Sequence, residues 1–308
     1  MLDNLQGELA ALLTAVFWTI TALAFESASK KVGSLSVNLL RLIIALIYLS
    51  LFSLFTKGSL LPINASTHNW VWLSVSGIVG FVIGDLLLFQ SYVVIGARIS
   101  MLVMALSPPI AAVTGWLLLG ETMNPLSILG MVITLTGICL AILGRKIKPE
   151  GNIDKAKIRF GYRFKYPVKG LLLAFGGAAG QGIGLVISKY GMGSYNAFAA
   201  TQIRVITGVI GFAMVITAYG GWKKLMSAAR NMPAMKSLSL GAFFGPFLGV
   251  SFSLLAVRYT SSGIASTIMS ITPVLIIAPS ALFFHEKVTF REIAGAILAV
   301  TGVSLFFI

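Results

Sequence analysis

Asp85 is the residue with the most to explain. It lies near the middle of an apolar run from Trp70 to Val93. A carboxylate at the centre of a bilayer costs roughly 2.5 to 3.5 kcal/mol on insertion scales. It must therefore face a cavity or a partner. Asp85 could bind a substrate amine, or take up and release a proton. The alternative is a structural ion pair with Arg41 or Arg98.

Other polar residues fall at the same depth. Trp18 and Gln181 lie near the centres of two further apolar runs, and Ser107-Pro108 and Thr272-Pro273 at the centres of two more. Substrate sites in transporters with internal repeats gather at this midplane. A proline inside a helix frees a carbonyl and bends the axis, so Pro108 and Pro273 could serve as kinks or gates. The bland alternatives are packing kinks, a lipid-facing tryptophan and an amide that bridges two helices. Arg41 and Arg204 also lie inside apolar runs. They could cap carbonyls, snorkel to headgroups or hold an anion. Glu121 and Glu286 close two runs just before the next helix, where a carboxylate suits the positive end of a helix dipole. Both are expected to be structural or gating residues.

Metal and nucleotide chemistry find little support. The two histidines, His68 and His285, are far apart, and no second histidine follows His285-Glu286 at zinc-protease spacing. Gly176 to Gly184 lacks the glycine order of a phosphate loop. Cys139 is the only cysteine, so no internal disulfide forms.

These residues must be carried by elements that lipid tolerates. Apolar residues make up 57% of the chain and charged residues only 10%, against about 25% charged in soluble domains. The sequence predicts ten spans, at 8–25, 35–56, 70–93, 98–119, 125–144, 169–188, 194–219, 235–257, 261–283 and 290–308. Each approaches the roughly 20 residues that cross a hydrocarbon core. Runs such as Leu42 to Leu51 do not alternate in polarity, so they read as helices and not barrel strands. Asp3 and Glu8 stand where a secretory signal would be basic, and no cleaved signal is expected.

The chain also repeats itself. Arg98–Ile142 and Gly263–Phe307 align without gaps at an offset of 165, with 10 identities in 45 positions. Pro108 and Pro273, Glu121 and Glu286, Gly130 and Gly295, and Gly137 and Gly302 correspond. Upstream, Gly80 and Gly84 map to Gly245 and Gly249 at the same offset. Arg41 maps to Arg204, and Trp18 to Gln181, at 163. The counterpart of Asp85 is Val250, so the repeated unit does not require an acid there. The expected architecture is one all-α membrane bundle of ten transmembrane helices in two five-helix repeats, 1–147 and 169–308, joined by a basic linker, 148–168. Five spans per copy would invert the second copy in the membrane.

The net charge of +14 is unevenly placed. Eighteen basic residues fall on the face that carries the linker, three on the face that carries the termini, and two inside spans. This is a positive-inside pattern rather than a nucleic-acid footprint. It predicts a cytoplasmic linker, lying against anionic headgroups, and termini outside.

Phe17-Trp18, Arg41-Leu42, Ser107-Pro108-Pro109, Gly120-Glu121, Thr272-Pro273 and His285-Glu286, set on ten spans and a five-plus-five repeat, resemble the EamA-type, ten-helix members of the drug/metabolite transporter superfamily. The resemblance implies alternating access around a central cavity lined by the first, third, fourth, sixth, eighth and ninth helices. It also implies amino acids, other metabolites or drugs as substrates. Members commonly keep their termini in the cytoplasm, whereas the charge bias here predicts the reverse. The Gly-Glu dipeptide is intact in the first copy and reads His285-Glu286 in the second.

The expected function is secondary transport of a small organic metabolite, with amino acids or amines favoured by the lone acid. Asp85 would be the substrate or proton site, and Trp18, Gln181, Ser107 and Thr272 would line the cavity. A lipid-linked-sugar flippase and a multidrug exporter are the alternatives. In the flippase, Arg41 and Arg204 would hold phosphates. No enzyme chemistry, cofactor or metal is expected. The expected partners are a small-molecule substrate, the lipid bilayer and a coupling proton, without nucleic acid.

Overall fold

The structure, a computed structural model, describes residues 5–144, 167–279 and 288–307. Most of the linker 148–168, together with His285 and Glu286, lies outside the described residues. Among those described the fold is all-helical. Its helices are α1 (Gln6–Val32), α2 (Ser34–Lys57), α3 (Thr67–Gly77), α4 (Asp85–Met104), α5 (Ser107–Leu119), α6 (Pro125–Gly144), α7 (Val168–Met192), α8 (Ala197–Ala218), α9 (Trp222–Ala229), α10 (Met232–Ala242), α11 (Val250–Tyr259), α12 (Ser262–Met269), α13 (Thr272–Leu275) and α14 (Phe290–Ser304). A π-helical segment, Ile78–Gly84, joins α3 to α4, and a second, Phe243–Gly249, joins α10 to α11. Nine helical stretches of the described residues are long and apolar enough to cross a membrane, and α5 is a shorter apolar helix.

The two π segments stand 165 residues apart, the offset of the sequence repeat. The helix starts at Ser107 and Thr272 share that offset. A π turn is a single-turn bulge, common at functional sites. Here it sets the depth at which Asp85 begins a new helix. The hydroxyl of Ser91 donates to that of Ser100 at 2.8 Å. Nine residues of straight helix would span about 13.5 Å, so α4 folds back on itself between them. Pro108 and Pro273 sit in the first turn of α5 and α13. The sequence reading placed them inside longer helices as kinks. The structure instead breaks the chain at Ala105-Leu106 and Ser270-Ile271 and restarts it at the prolines, whose missing N–H and fixed φ suit a first turn.

Apolar lipid supplies no drive between helices, so they associate by close packing of small residues. The tightest case is α6 against α14. A Cβ on Gly137 would stand 2.7 Å from the Gly295 carbonyl oxygen, and one on Gly295 would stand 2.6 Å from that of Gly137. Gly130 and Gly302 are related in the same way, at 3.0 and 2.8 Å. In the repeat register Gly130 corresponds to Gly295 and Gly137 to Gly302. Each residue therefore meets the counterpart of the residue that meets its own counterpart, which is the signature of a two-fold contact.

The same exchange recurs around the π segments. Gly184 of α7 packs on Gly80, as Thr21 of α1 packs on Gly245. Gln181 abuts Gly84, as Trp18 abuts Gly249.

A side chain at position 137 has no room to relax, because its neighbours are backbone. Gly137→Leu is expected to destabilise the protein by about 1 to 3 kcal/mol, the usual cost of overpacking. SDS titration of the detergent-solubilised protein would read this, and an unshifted midpoint would contradict the α6–α14 contact.

Candidate functional site

The π segment delivers Asp85 into the interior, where it is buried. One carboxylate oxygen pairs with Arg41 of α2. The other accepts a hydrogen bond from the Gln181 amide at 2.8 Å. Gln181 also donates to the Gly80 carbonyl at 3.2 Å. That carbonyl already receives the backbone N–H of Asp85. Gln181 reaches both because glycines at 80, 84, 180 and 184 let α7 lie directly on the π segment. Of the two arginines weighed as partners for Asp85, Arg41 is paired with it, and the Arg98 side chain lies outside the described residues. The Arg41 guanidinium is flanked by the rings of Phe25 and Phe89, at 5.5 and 5.7 Å. It neither snorkels nor caps a helix.

Arg204 of α8 completes the cluster. It is buried, 4% exposed, and lies 4.8 Å from the centre of the Phe81 ring. Its charge acts on Asp85 from a distance. The Arg204 Nε is enclosed and has no partner. The sequence singled out the two arginines as a matched pair; the fold gives them different surroundings, because Asp85 has no acidic counterpart in the second copy.

The other selected residues separate into two neighbourhoods. Ser107 packs on α7 beside Gln181: its carbonyl lies 2.8 Å from where a Cβ on Gly182 would stand. Trp18 and Thr272 form the second group. A Cβ on Gly249 would stand 2.7 Å from the Trp18 indole nitrogen. The Thr272 hydroxyl is bonded to the Met269 carbonyl at 2.8 Å and approaches that of Ala15, one turn below Trp18, at 3.4 Å. An open cleft of about 730 Å³ lies between α2 and α10, lined among others by Tyr48, Met232, Lys236, Phe243 and Phe244. None of the selected residues lines it.

Glu121 sits on the face that carries the termini. Gly120 (φ 65°) ends α5 in the left-handed conformation. The N–H of Glu121 then reaches back six residues to the Gly115 carbonyl, a Schellman closure. This aims the carboxylate across Gly115, where a Cβ would obstruct it. The carboxylate does not cap the next helix, as the sequence suggested. It accepts from the N–H of Ser262 at 2.8 Å and its hydroxyl at 3.2 Å, at the start of α12. It also pairs with Lys189, at the end of α7. Lys189 donates to the Thr260 carbonyl at 2.8 Å, and the Thr260 hydroxyl donates to Glu8 of α1 at 2.7 Å. The sequence reading passed over Glu8, Lys189 and Thr260. Each stands near a helix end, where polar residues are ordinary. Only their sharing of one face of the bundle hinted at a network.

Comparisons with known proteins agree with this architecture. The family model described as the EamA-like transporter family matches residues 5–143 and 168–308. The chain is similar to an uncharacterized transporter, YvbV, of Bacillus subtilis (strain 168), at 28% identity over 204 residues, 64% of this chain and 59% of that protein. It is similar to an uncharacterized transporter of Archaeoglobus fulgidus at 30% identity over 141 residues, 45% of this chain and 46% of that protein. The chain thus matches about half the length of these relatives. A protein crystal structure superposes with a TM-score of 0.71 at 18% identity, covering 97% of this chain and 95% of that one. It shares the fold.

Removing one partner of a buried ion pair leaves the other charge uncompensated, at a cost of about 3 to 5 kcal/mol. Asp85→Asn is expected to lose stability on that scale in thermal unfolding of the purified protein. The double change Asp85→Leu with Arg41→Leu should recover most of it. A single variant as stable as wild type would show that the pair contributes nothing.

Proposed function

We propose that this chain, which belongs to the EamA-like transporter family, is a secondary transporter that moves a small organic metabolite across the membrane by alternating access. The observation that carries this reading is the cluster of buried Asp85 and Arg204 with half-buried Arg41 and Gln181, in a chain otherwise built to dissolve in lipid. Ionisable groups at such depth mark substrate and ion paths. The moving parts are two inverted halves, 1–147 and 169–308, related by the reciprocal contacts of α6 with α14 and of α1 and α7 with the π segments. The breaks before Pro108 and Pro273 are the points at which each half bends.

The polar network of Glu8, Glu121, Lys189, Thr260 and Ser262 closes one end of the path. It ties α1 and α5 of the first half to α7, α11 and α12 of the second. The conformation is therefore sealed at the face that carries the termini, and transport requires this latch to part. Trp18 and Thr272 line the path on the second side of the same depth. A lipid-linked-sugar flippase needs its arginines in a groove open to lipid. The cleft between α2 and α10 holds Lys236 and neither Arg41 nor Arg204, so the metabolite reading is preferred.

Purified protein in liposomes is expected to accumulate or exchange at least one labelled metabolite from a panel of amino acids, organic acids and amines. Absence of flux for every member would end the transport reading. Breaking the latch should favour opening of the sealed face. In a Cys139→Ser background, a cysteine placed at buried Ala11 should react roughly five- to thirtyfold faster with an impermeant maleimide when Lys189→Met is added. An unchanged rate would remove the latch from the mechanism. The charge bias places the linker in the cytoplasm and the termini outside. A fluorescent protein fused after Ile308 and exported unfolded in a bacterial host should stay dark, and bright cells would reverse the orientation.

A further inference from the structure

We propose that Arg204 anchors an oxyanion of the transported molecule, a carboxylate or a phosphate, so that the substrates are organic anions or zwitterions rather than amines. This deepens the transport reading and rests on it.

The first observation is a charge imbalance. Among the described residues, Asp85 is the only carboxylate that acts on Arg204. Both of its oxygens are engaged, one by Arg41 and one by Gln181. Among the described residues, two guanidinium charges against one carboxylate leave this cluster with a surplus of one positive charge. A lone charge in a medium that cannot solvate it is costly unless a partner arrives.

The second observation is that Arg204 has the hydrogen-bonding capacity to receive that partner. Its Nε is enclosed without an acceptor, and among the described residues its guanidinium makes no hydrogen bond or ion pair. The face of Phe81 attracts the cation but supplies no counter-charge and accepts no strong hydrogen bond. A planar guanidinium matches a carboxylate or phosphate through paired N–H···O bonds.

The third observation is the comparison of the two copies. In the first copy Arg41 finds Asp85. In the second, the position that corresponds to Asp85 is Val250, which is buried and apolar. The repeat therefore brings no second acid to match the second arginine, and a substrate anion supplies the counter-charge. An amine fits poorly here. It would enter a site of net positive charge to reach a carboxylate that is already satisfied. Gly80 lies directly against the guanidinium, since a Cβ there would stand 3.2 Å from the Arg204 Nη2.

The test uses the full chain, purified into lipid nanodiscs, at fixed ionic strength. The probes are leucine, 4-methylpentanoate, which keeps only the carboxylate, 3-methylbutylamine, which keeps only the amine, and inorganic phosphate. Leucine, 4-methylpentanoate or phosphate is expected to raise the melting temperature in a saturable manner, and the amine is not. Selective protection by phosphate would identify a phosphate ester as the substrate, and protection by the carboxylates an organic acid or amino acid. Arg204→Gln should weaken the protecting anion at least about tenfold. Arg204→Lys, which keeps the charge and loses the fork, should retain part of the effect. The unliganded Arg204→Gln protein should melt no lower than wild type, because it sheds an uncompensated charge. Three results would each overturn the proposal: protection by the amine alone, no protection by any anion, or an unliganded Arg204→Gln protein that melts lower. Liposome flux separates this proposal from the one beneath it. Anion binding without flux would keep the site and end the transport reading, whereas flux of the amine alone would do the reverse.

Discussion

Everything in the interior depends on how closely α7 approaches the π segment between α3 and α4. Glycines at 80, 84, 180 and 184 bring two backbones into contact, with hypothetical Cβ positions 2.7 to 3.2 Å from the nearest atoms across the contact or beside it. At that separation the Gln181 amide reaches both the Gly80 carbonyl and the Asp85 carboxylate. One added methyl group on either side would part the helices and break the pairing. Bulky residues cannot serve, because lipid offers no penalty for leaving them apart.

The second copy builds the same contact with different chemistry. Thr21 and Trp18 of α1 lie on Gly245 and Gly249, and no acid follows the second π segment. Packing is symmetric and charge is not. A fold made of related halves must hold its shape in both, but it need not repeat every ionisable group, and here Asp85 has no acidic counterpart. Asp85, Arg41 and Gln181 occupy one side, and Trp18 with Thr272 the other. The proposed oxyanion site arises from that inequality, since Arg204 keeps the repeat register of Arg41 without a second acid to match it. The sequence around the two glutamates differs as well. Glu121 is placed by a left-handed Gly120, whereas the second copy has His285 at the corresponding position.

Much of this was legible in the chain. Long apolar runs gave the spans, because backbone in lipid has no partner but itself. The offset of 165 anticipated that the two π segments and the helix starts at Ser107 and Thr272 would recur together. Depth was legible too, since position along a run reports it. Asp85 and Gln181, singled out in part for their place along their runs, are hydrogen-bonded to each other. Azimuth was not legible. Whether Asp85 would meet Arg41 or Arg98 depends on which faces of α2 and α4 turn toward each other. The mean hydropathy of a uniformly apolar helix carries no such phase.

By itself, then, the sequence determined that the chain is an all-helical membrane protein, that it contains a repeated unit, and that ionisable groups interrupt its apolar runs. These follow from composition and spacing, which act residue by residue. The tertiary structure alone decided the partners. It put Arg41 on Asp85 and, among the described residues, left the Arg204 guanidinium without a hydrogen bond or ion pair. It turned two expected kinks into helix starts and sent Glu121 to α12 and Lys189 rather than to the helix that follows it. Each of these outcomes depends on how helices far apart in the chain rotate and pack, and a buried charge can be satisfied only by whatever that packing brings within reach.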